Sequence, residues 1–234
     1  MDAVAVEVLP SAEAVARRAA ELVAGYVAQD VATRSAATLA LSGGRTPQRV
    51  LERLAALELP WARVAVFQVD ERVAPLEHAD RNRTQAAAAL AGPLRTYASS
   101  FRWMPVEERD LDAAARSYAE ALRAAAGSPP VIDTLHLGLG PDGHTASLFP
   151  GSPLVAETAR EVAVTEPQLG RRRMTLTFTV LNRARRILWI VTGADKRAAL
   201  AGLVAGDPQI VGSRVRRAAA LVLADADAAA EIAR

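Results

Sequence analysis

The chain contains no cysteine, which excludes disulfide bonds and thiolate metal sites and is typical of a protein in the reducing cytoplasm. Lysine is almost absent too: Lys196 is the only lysine among 28 basic residues, and 28 − 1 leaves 27 arginines. Aromatic residues are only 4% of the chain, which leaves few rings to stack on bases. With a net charge of only +2, we expect the arginines to be solvated surface rather than a nucleic-acid interface.

Long apolar runs and a basic leader are also missing. No stretch approaches the roughly 18 apolar residues of a membrane span, and Met1 to Val4 lacks the basic start of a secretory signal. The 234 residues, 51% of them hydrophobic, contain no repeat and no low-complexity linker. We therefore expect one soluble cytoplasmic domain over residues 1–234, with no membrane partner.

Short apolar runs alternate with helical patterns along the chain. Strands are predicted at 4–9, 36–41, 64–69, 131–139, 174–180, 187–192 and 219–223. Helices are predicted from Ser11, as a cap, to Asp30, from Asp110 to Ala126, and over 85–90 with Thr84 as a cap. Three more are predicted: one that starts at a cap at Thr46, one that follows Lys196 and ends near Ala205, and a short one that starts at Asp225. The alternation favours an α/β fold with a mostly parallel sheet covered by helices on both faces.

Polar residues follow four of these strands. They are the segments Ser42 to Thr46, Asp70 to Arg72, Asp142 to Ser147, and Gly193 to Lys196. Ligands of an open parallel sheet bind outside the carboxyl ends of the strands, so we expect these four segments to meet at one site.

The segment Ser42 to Pro47 has the properties of a phosphate cradle. Gly43 and Gly44 let the backbone bend close to a ligand, and the free N–H groups of a helix start attract anions. The Gly-Lys-Ser/Thr ending of a nucleoside triphosphate loop is missing. An ordinary strand-to-helix turn is the alternative interpretation.

The segment Leu135 to Gly151 is the richest in chemistry. Its glycines spell G-x-G-x-x-G, but Asp142 would place a carboxylate against a pyrophosphate, and Pro141 removes a backbone donor. The run Phe149 to Pro153 also stops any long helix. We therefore reject dinucleotide binding, and the polar residues after this strand, His144 among them, lie where chemistry is expected.

Other charged residues have a structural explanation. Asp70, Glu71 and Arg72 either cap a turn or line a site, and Glu71 is expected to be structural because adjacent residues of a strand point to opposite sides. We expect His136, in the middle of a strand, to be packed, and His78 to be solvated.

In this order, the segments resemble the 6-phosphogluconolactonase family over almost the whole chain. The resemblance rests on Ser-Gly-Gly-x-Thr-Pro, Asp-Glu-Arg, Asn82, the long motif through Asp142 and His144, Arg-x-Thr-Leu-Thr and Thr-Gly-x-x-Lys. The chain departs from the family's pattern at Arg81 and His136.

The resemblance implies a three-layer, Rossmann-like α/β/α fold with small antiparallel additions, as a monomer or small homo-oligomer. It also implies hydrolysis of 6-phospho-D-glucono-1,5-lactone to 6-phosphogluconate in the pentose phosphate pathway, without metal or cofactor. His144 would be the general base, Asp142 and Asp70 would orient the imidazole or bind sugar hydroxyls, and Arg72 would offset charge on the carbonyl oxygen.

The resemblance further implies a subsite for the 6-phosphate. It would comprise the N–H groups of Ser42, Gly43, Gly44 and Thr46 with Arg173 and Lys196, and Asn82 would also bind substrate. Arg173 is preferred to Arg171 and Arg172 because it directly precedes the Thr-Leu-Thr strand. Lys196 carries a separate argument, because the only lysine of an arginine-rich chain falls at a helix start beside the predicted phosphate.

Two alternatives share this fold. Amino-sugar-phosphate deaminases carry an acidic residue soon after the histidine, whereas Thr145 to Phe149 contains none. Non-catalytic sugar-phosphate sensors add a DNA-binding helix-turn-helix segment at the N-terminus. Only about 35 residues precede the strand predicted at 36–41, and we expect one strand and one helix to occupy them, which leaves no room for such a segment.

Overall fold

The computed structural model describes residues 3–168 and 170–232. Its strands are β1 (Ala5–Leu9), β2 (Ala37–Leu41), β3 (Val64–Gln68), β4 (Asp70–Arg72), β5 (Phe101–Arg102), β6 (Thr134–Leu137), β7 (Val162–Val164), β8 (Arg173–Leu176), β9 (Arg186–Val191) and β10 (Ala220–Asp225). Its α-helices are α1 (Ala12–Arg34), α2 (Arg45–Ala55), α3 (Asn82–Ala89), α4 (Ala91–Tyr97), α5 (Leu111–Ala126), α6 (Phe178–Leu181) and α7 (Arg197–Ala205).

The strands form one large and one small sheet. Seven strands lie in the order β1-β10-β9-β6-β2-β3-β5, and every neighbouring pair is parallel. The small sheet, β4-β8-β7, is antiparallel. The predicted α/β fold, with a mostly parallel sheet and small antiparallel additions, is therefore confirmed. No helix among the described residues is both long enough and apolar enough to cross a bilayer.

Hydrophobic clusters cover both faces of the large sheet. All five residues of β2 are buried, as expected for a central parallel strand. Leu39 and Leu41 belong to one cluster with α1 and α2, whereas Ala40 belongs to the other, with α5 and α7. Because successive side chains of a strand point to opposite faces, the helices form two outer layers around the sheet.

The cap predicted at Ser11 is confirmed, and Asp110, where a helix was predicted to start, is also a helix cap. The Ser11 hydroxyl accepts a hydrogen bond from Ala14 N at 3.2 Å, and Asp110 Oδ1 accepts one from Ala113 N at 2.9 Å. Both side chains satisfy an N–H group that has no partner within its helix.

The caps predicted at Thr46 and Thr84 are wrong. Helix α2 begins at Arg45 after Gly44, whose φ of 117° favours glycine, and the Thr46 hydroxyl instead bonds the Thr192 hydroxyl at 2.6 Å. Helix α3 begins at Asn82, so Thr84 lies inside its first turn.

The strand predicted at 174–180 is half correct. Pairing ends at Leu176, and residues 178–181 form the helical turn α6. Thr177 causes the change: its N–H bonds Glu161 O at 3.0 Å, and its own carbonyl accepts from Val180 and Leu181. The strand predicted at 131–139 is likewise shorter. The short terminal helix predicted from Asp225 is a 3₁₀ helix at Ala228–Glu231, because Asp225 still belongs to β10.

Candidate functional site

A cleft of about 170 Å³ lies at the carboxyl ends of the central strands. Its position agrees with the edge at which open parallel sheets bind ligands. The predicted site residues that line it are Ser42, Gly43, Asp70, Arg72, Asn82, His144, Arg173 and Lys196. Segments that are far apart in the sequence therefore meet there.

A second cavity, of about 390 Å³, continues from this cleft toward the start of α2. Gly43 and Lys196 line both spaces, whereas Gly44 and Thr46 line only the second. The Lys196 ammonium lies 3.2 Å from Asp195 Oδ2, and its side chain keeps 21% of its surface exposed. The glycine pair and the only lysine thus border one continuous space.

His144 lines the cleft and is held from behind by Asp142. Its Nδ1 lies 2.5 Å from Asp142 Oδ1, and its backbone N–H donates to the same oxygen at 3.2 Å. Partial burial alone would raise the pKa of Asp142, but the hydrogen bonds and charge of His144 outweigh it and lower that pKa. With Nδ1 occupied by the carboxylate, Nε2 is the ring nitrogen left to accept a proton.

Gly140 makes room for this histidine. A Cβ at residue 140 would lie 2.1 Å from His144 Nδ1 and 2.5 Å from Asp142 Oδ1. The loop is closed by hydrogen bonds from Gly140 N to His144 O at 2.8 Å and from Gly143 N to Gly140 O at 3.0 Å. These glycines therefore serve a tight loop that carries the imidazole, in line with the rejection of a dinucleotide fingerprint.

Phe149 is a site residue that the sequence analysis missed. Its ring centroid lies 4.3 Å from that of His144, and the Arg173 guanidinium lies 5.2 Å from the Phe149 centroid. Only 4% of Phe149 is exposed. The aromatic ring therefore supports two predicted site residues at once, and the only available signal was its place within the long motif.

Asp70 holds other side chains rather than the imidazole. Its Oδ2 accepts from the Ser147 hydroxyl at 2.6 Å and its Oδ1 from Asn82 Nδ2 at 3.1 Å. Ser147 is fully buried and was not predicted to have this role. Within residues 3–168 and 170–232, no three His, Asp or Glu side chains are grouped so that they could hold a metal ion.

Asn82 presses against Gly43. A Cβ at residue 43 would lie 1.8 Å from Asn82 Oδ1, so only glycine fits there without a shift of the amide. That oxygen is buried and has no hydrogen-bond partner in the described part of the chain. It is an unsatisfied acceptor at the wall of the cleft.

Two guanidinium groups make the floor of the cleft electropositive. Burial lowers the pKa of Arg173; nearby Asp70 partly offsets this effect and nearby Arg72 adds to it. The Nε atoms of both arginines are buried without a partner among the described residues. Arg171 and Arg172 instead bond Asp80 and Thr165 outside the cleft.

The hydrogen bonds of Ser42 change the set of N–H groups that could bind phosphate. Its N–H donates to His136 Nδ1 at 3.3 Å and its hydroxyl to His136 O at 2.9 Å, so this N–H already has a partner and is not counted among the phosphate donors below. The N–H groups of Gly43, Gly44 and Thr46 come before the first helical hydrogen bond, from Gln48 N to Gly44 O.

Glu71 is structural, as predicted. It is fully buried, and its carboxylate accepts from the N–H groups of Asn82 and Arg83, both at 2.8 Å. Its Oε2 also lies 3.2 Å from Nε of Arg81, which is itself fully buried. Arg81, at which the chain departs from the family's pattern, thus forms a buried ion pair with Glu71, and Glu71 in turn binds the first N–H groups of α3.

His136 is packed, as predicted, and should make stability depend on pH. Burial lowers the pKa of His136 to about 4. An unfolded imidazole titrates near about 6.5, so below that value the unfolded state binds a proton that the folded state excludes. As the pH is lowered from about 6.5 to about 4, we expect the free energy of unfolding to fall by about 1.4 kcal/mol per pH unit.

Urea unfolding of the wild type and of His136→Gln across this pH range checks the expectation. The variant should lose most of the slope, while His78→Ala, at a partly exposed histidine, should keep it. Equal slopes for the wild type and His136→Gln would contradict the effect assigned to His136.

The chain is similar to known proteins over most of its length. A sequence model of the family described as glucosamine-6-phosphate isomerases/6-phosphogluconolactonase matches residues 10–224. A 6-phosphogluconolactonase of Pseudomonas putida is 40% identical over 214 residues, covering 88% of this chain and 85% of that protein. One of Synechocystis sp. is 36% identical over 210 residues, covering 87% of each.

A solved structure is similar over the full length. The crystal structure of 6-phosphogluconolactonase from Leishmania guyanensis superposes with a TM-score of 0.88 at 26% identity and covers 100% of both chains. The structural likeness thus extends over the whole chain, and the family match covers residues 10–224 of it. The chain therefore belongs to the glucosamine-6-phosphate isomerase/6-phosphogluconolactonase family.

Proposed function

We propose that this protein hydrolyses 6-phospho-D-glucono-1,5-lactone to 6-phosphogluconate, with His144 as the general base. The observation that carries the proposal is the Asp142–His144 pair at 2.5 Å, placed in a cleft that Gly43 and Lys196 also line. The names of the curated relatives support the reaction, and the site supports the roles of the residues.

In the proposed mechanism, His144 Nε2 removes a proton from water as the water oxygen attacks the lactone carbonyl carbon. The Asp142 carboxylate stabilises the imidazolium that forms and keeps the ring oriented. The attack places negative charge on the carbonyl oxygen, which the positive charge of Arg72, at the lining of the cleft, would offset. Collapse of the tetrahedral intermediate breaks the bond to the ring oxygen, which takes the proton back from the imidazolium.

The 6-phosphate would bind in the adjoining cavity. The N–H groups of Gly43, Gly44 and Thr46 offer donors at the positive end of α2, and Lys196 adds a compact charge. Arg173, in the neighbouring cleft, would complete the subsite. The phosphate would thus hold the sugar from the side opposite to the imidazole.

Asp70 and Asn82 would bind sugar hydroxyls between these two ends. Asn82 Oδ1 is a free acceptor, and each carboxylate oxygen of Asp70 has accepted only one side-chain bond. A carboxylate has about four lone-pair sites, so it can take a further hydroxyl without losing Ser147.

The residues after His144 favour the lactonase over the deaminase alternative. Thr145 donates its hydroxyl to Gly138 O at 2.9 Å, and Ser147 donates its hydroxyl to Asp70 at 2.6 Å. Neither side chain is acidic, so this segment offers no carboxylate for a ring-opening relay. A lactone is already oxidised at the reacting carbon and needs no such relay.

Proton release measured in weak buffer tests the reaction. With the purified full chain, the phosphorylated lactone should open faster than its spontaneous rate, and unphosphorylated glucono-1,5-lactone should be a much poorer substrate. A rate equal to the spontaneous one would contradict the proposal in favour of a sensor. Release of ammonia from glucosamine 6-phosphate, in place of lactone opening, would support the deaminase alternative.

Replacing Lys196 by alanine should weaken substrate capture. A hydrogen bond to a charged group contributes about 1.5–3 kcal/mol, so we expect KM for the phosphorylated lactone to rise about 10- to 100-fold with kcat little changed. Steady-state kinetics with both lactones measures this effect. Lys196→Arg should recover only part of it, because a planar fork does not replace an ammonium. An equal loss toward the unphosphorylated lactone would contradict the phosphate role.

A further inference from the structure

A cleft unrelated to the proposed reaction lies at the opposite edge of the large sheet. Its volume is about 530 Å³, which falls in the range of roughly 300–1,000 Å³ typical of small-molecule sites. It lies where β2, β3 and β6 begin, whereas the site described above lies where they end. No residue lines both clefts.

Four arginines line this amino-edge cleft, with one acidic residue among them. Arg34 Nη2 and Arg185 Nε both contact Asp133 Oδ1, at 2.7 Å and 3.1 Å. The other two, Arg63 and Arg102, donate to the backbone carbonyls of Ser35 and Ser99, and no carboxylate of the described ranges pairs with them.

Asp133 has little capacity left to neutralise these charges. Its Oδ2 accepts from both the N–H and the hydroxyl of Thr38, at 2.8 Å and 2.9 Å, and its Oδ1 holds two guanidiniums. Arg34 also pairs with Asp30 at 2.7 Å, so the guanidiniums of Arg34 and Arg185 contact carboxylates, whereas those of Arg63 and Arg102 contact none within the described ranges. Two of the guanidiniums therefore remain available to an anion.

The sheet sets the length of the cleft. The strands along it lie in the order β6-β2-β3-β5, so three spacings of ~4.8 Å separate β6 from β5 by about 14 Å across the sheet. The wall between the charged groups includes six alanines, at positions 36, 37, 62, 65, 125 and 126. An elongated ligand with an anionic end and a less polar body matches this arrangement.

We propose that this amino-edge cleft is a second binding site, and that it takes a small phosphorylated organic molecule whose phosphate or pyrophosphate group binds Arg63 and Arg102. Guanidinium groups recognise phosphate oxygens through paired N–H donors, and both side chains are exposed at the mouth of the cleft. The proposal is independent of the lactonase reaction.

Isothermal titration of the full chain with inorganic pyrophosphate tests this site. The wild type should bind two equivalents, one at each edge of the sheet. Arg63→Ala/Arg102→Ala should bind one, and each single substitution should weaken the same event at least fivefold. Lys196→Ala should weaken only the other event.

Arg17→Ala/Arg95→Ala is the matched control. It removes the same charge from two exposed arginines outside both clefts, and it should still bind two equivalents. The proposal is overturned if the Arg63/Arg102 variants keep the wild-type isotherm. It is equally overturned if the wild type binds one equivalent that depends on Lys196, or if the control loses as much binding as the double variant.

Discussion

Replacing His144 by alanine is expected to lower kcat for lactone opening by about 10²- to 10⁴-fold, the range typical of a lost general base. KM should change little, because the phosphate and hydroxyl contacts assigned above do not include the imidazole. The side chain is 21% exposed at the cleft, so its removal should not unfold the protein. Proton-release kinetics and a thermal melt of the same sample measure both effects.

The other two histidines separate this effect from a general one. His78 lies on a partly exposed loop outside the cleft, and His78→Ala should keep wild-type kcat. His136 is buried and should affect stability rather than chemistry. A His144→Ala variant with more than a tenth of wild-type kcat would remove the imidazole from the mechanism.

Replacing Gly140 by alanine should lower kcat without removing any side chain of the site. The added Cβ would lie 2.1 Å from His144 Nδ1, so the ring must move. A misplacement of about 1 Å can cost about 10²-fold, and we expect a loss of kcat of that size. Residue 140 does not have a positive φ, so the effect is steric rather than a backbone preference.

Steady-state kinetics distinguishes this steric effect from unfolding. If the imidazole is displaced, kcat falls, KM stays close to wild type and the melting temperature changes little. Gly25→Ala is the matched control, because a Cβ at residue 25 of α1 meets nothing within 4 Å. Wild-type kcat in Gly140→Ala would mean that the Asp142–His144 geometry is not required.

Much of the fold could be predicted because its core strands are short apolar runs. The runs at β2, β3 and β9 are buried on both faces, and burial on both faces removes polar alternation from the sequence. The predictions failed where long-range hydrogen bonds determine where a strand ends. Thr177 turns the chain into α6 through its bond to Glu161, which is 16 residues away in the sequence.

Motifs could predict which residues line the cleft, but not which side chains they contact. Motifs placed His144, Asp142 and Lys196 at strand ends, and sheet topology then brings strand ends together. Periodicity contains no information about which side chains touch across strands. For that reason the His136 bond that occupies the Ser42 N–H was missed, as was the support that Phe149 gives to His144.

The most direct test of the proposed mechanism is the tautomer of His144, measured by ¹⁵N NMR of histidine-labelled protein at a pH where the ring is neutral. His144→Ala assigns the resonances among the three histidines. The bond from Nδ1 to Asp142 predicts a proton on Nδ1 and a bare Nε2. A proton on Nε2 would leave no base facing the water and would contradict the account.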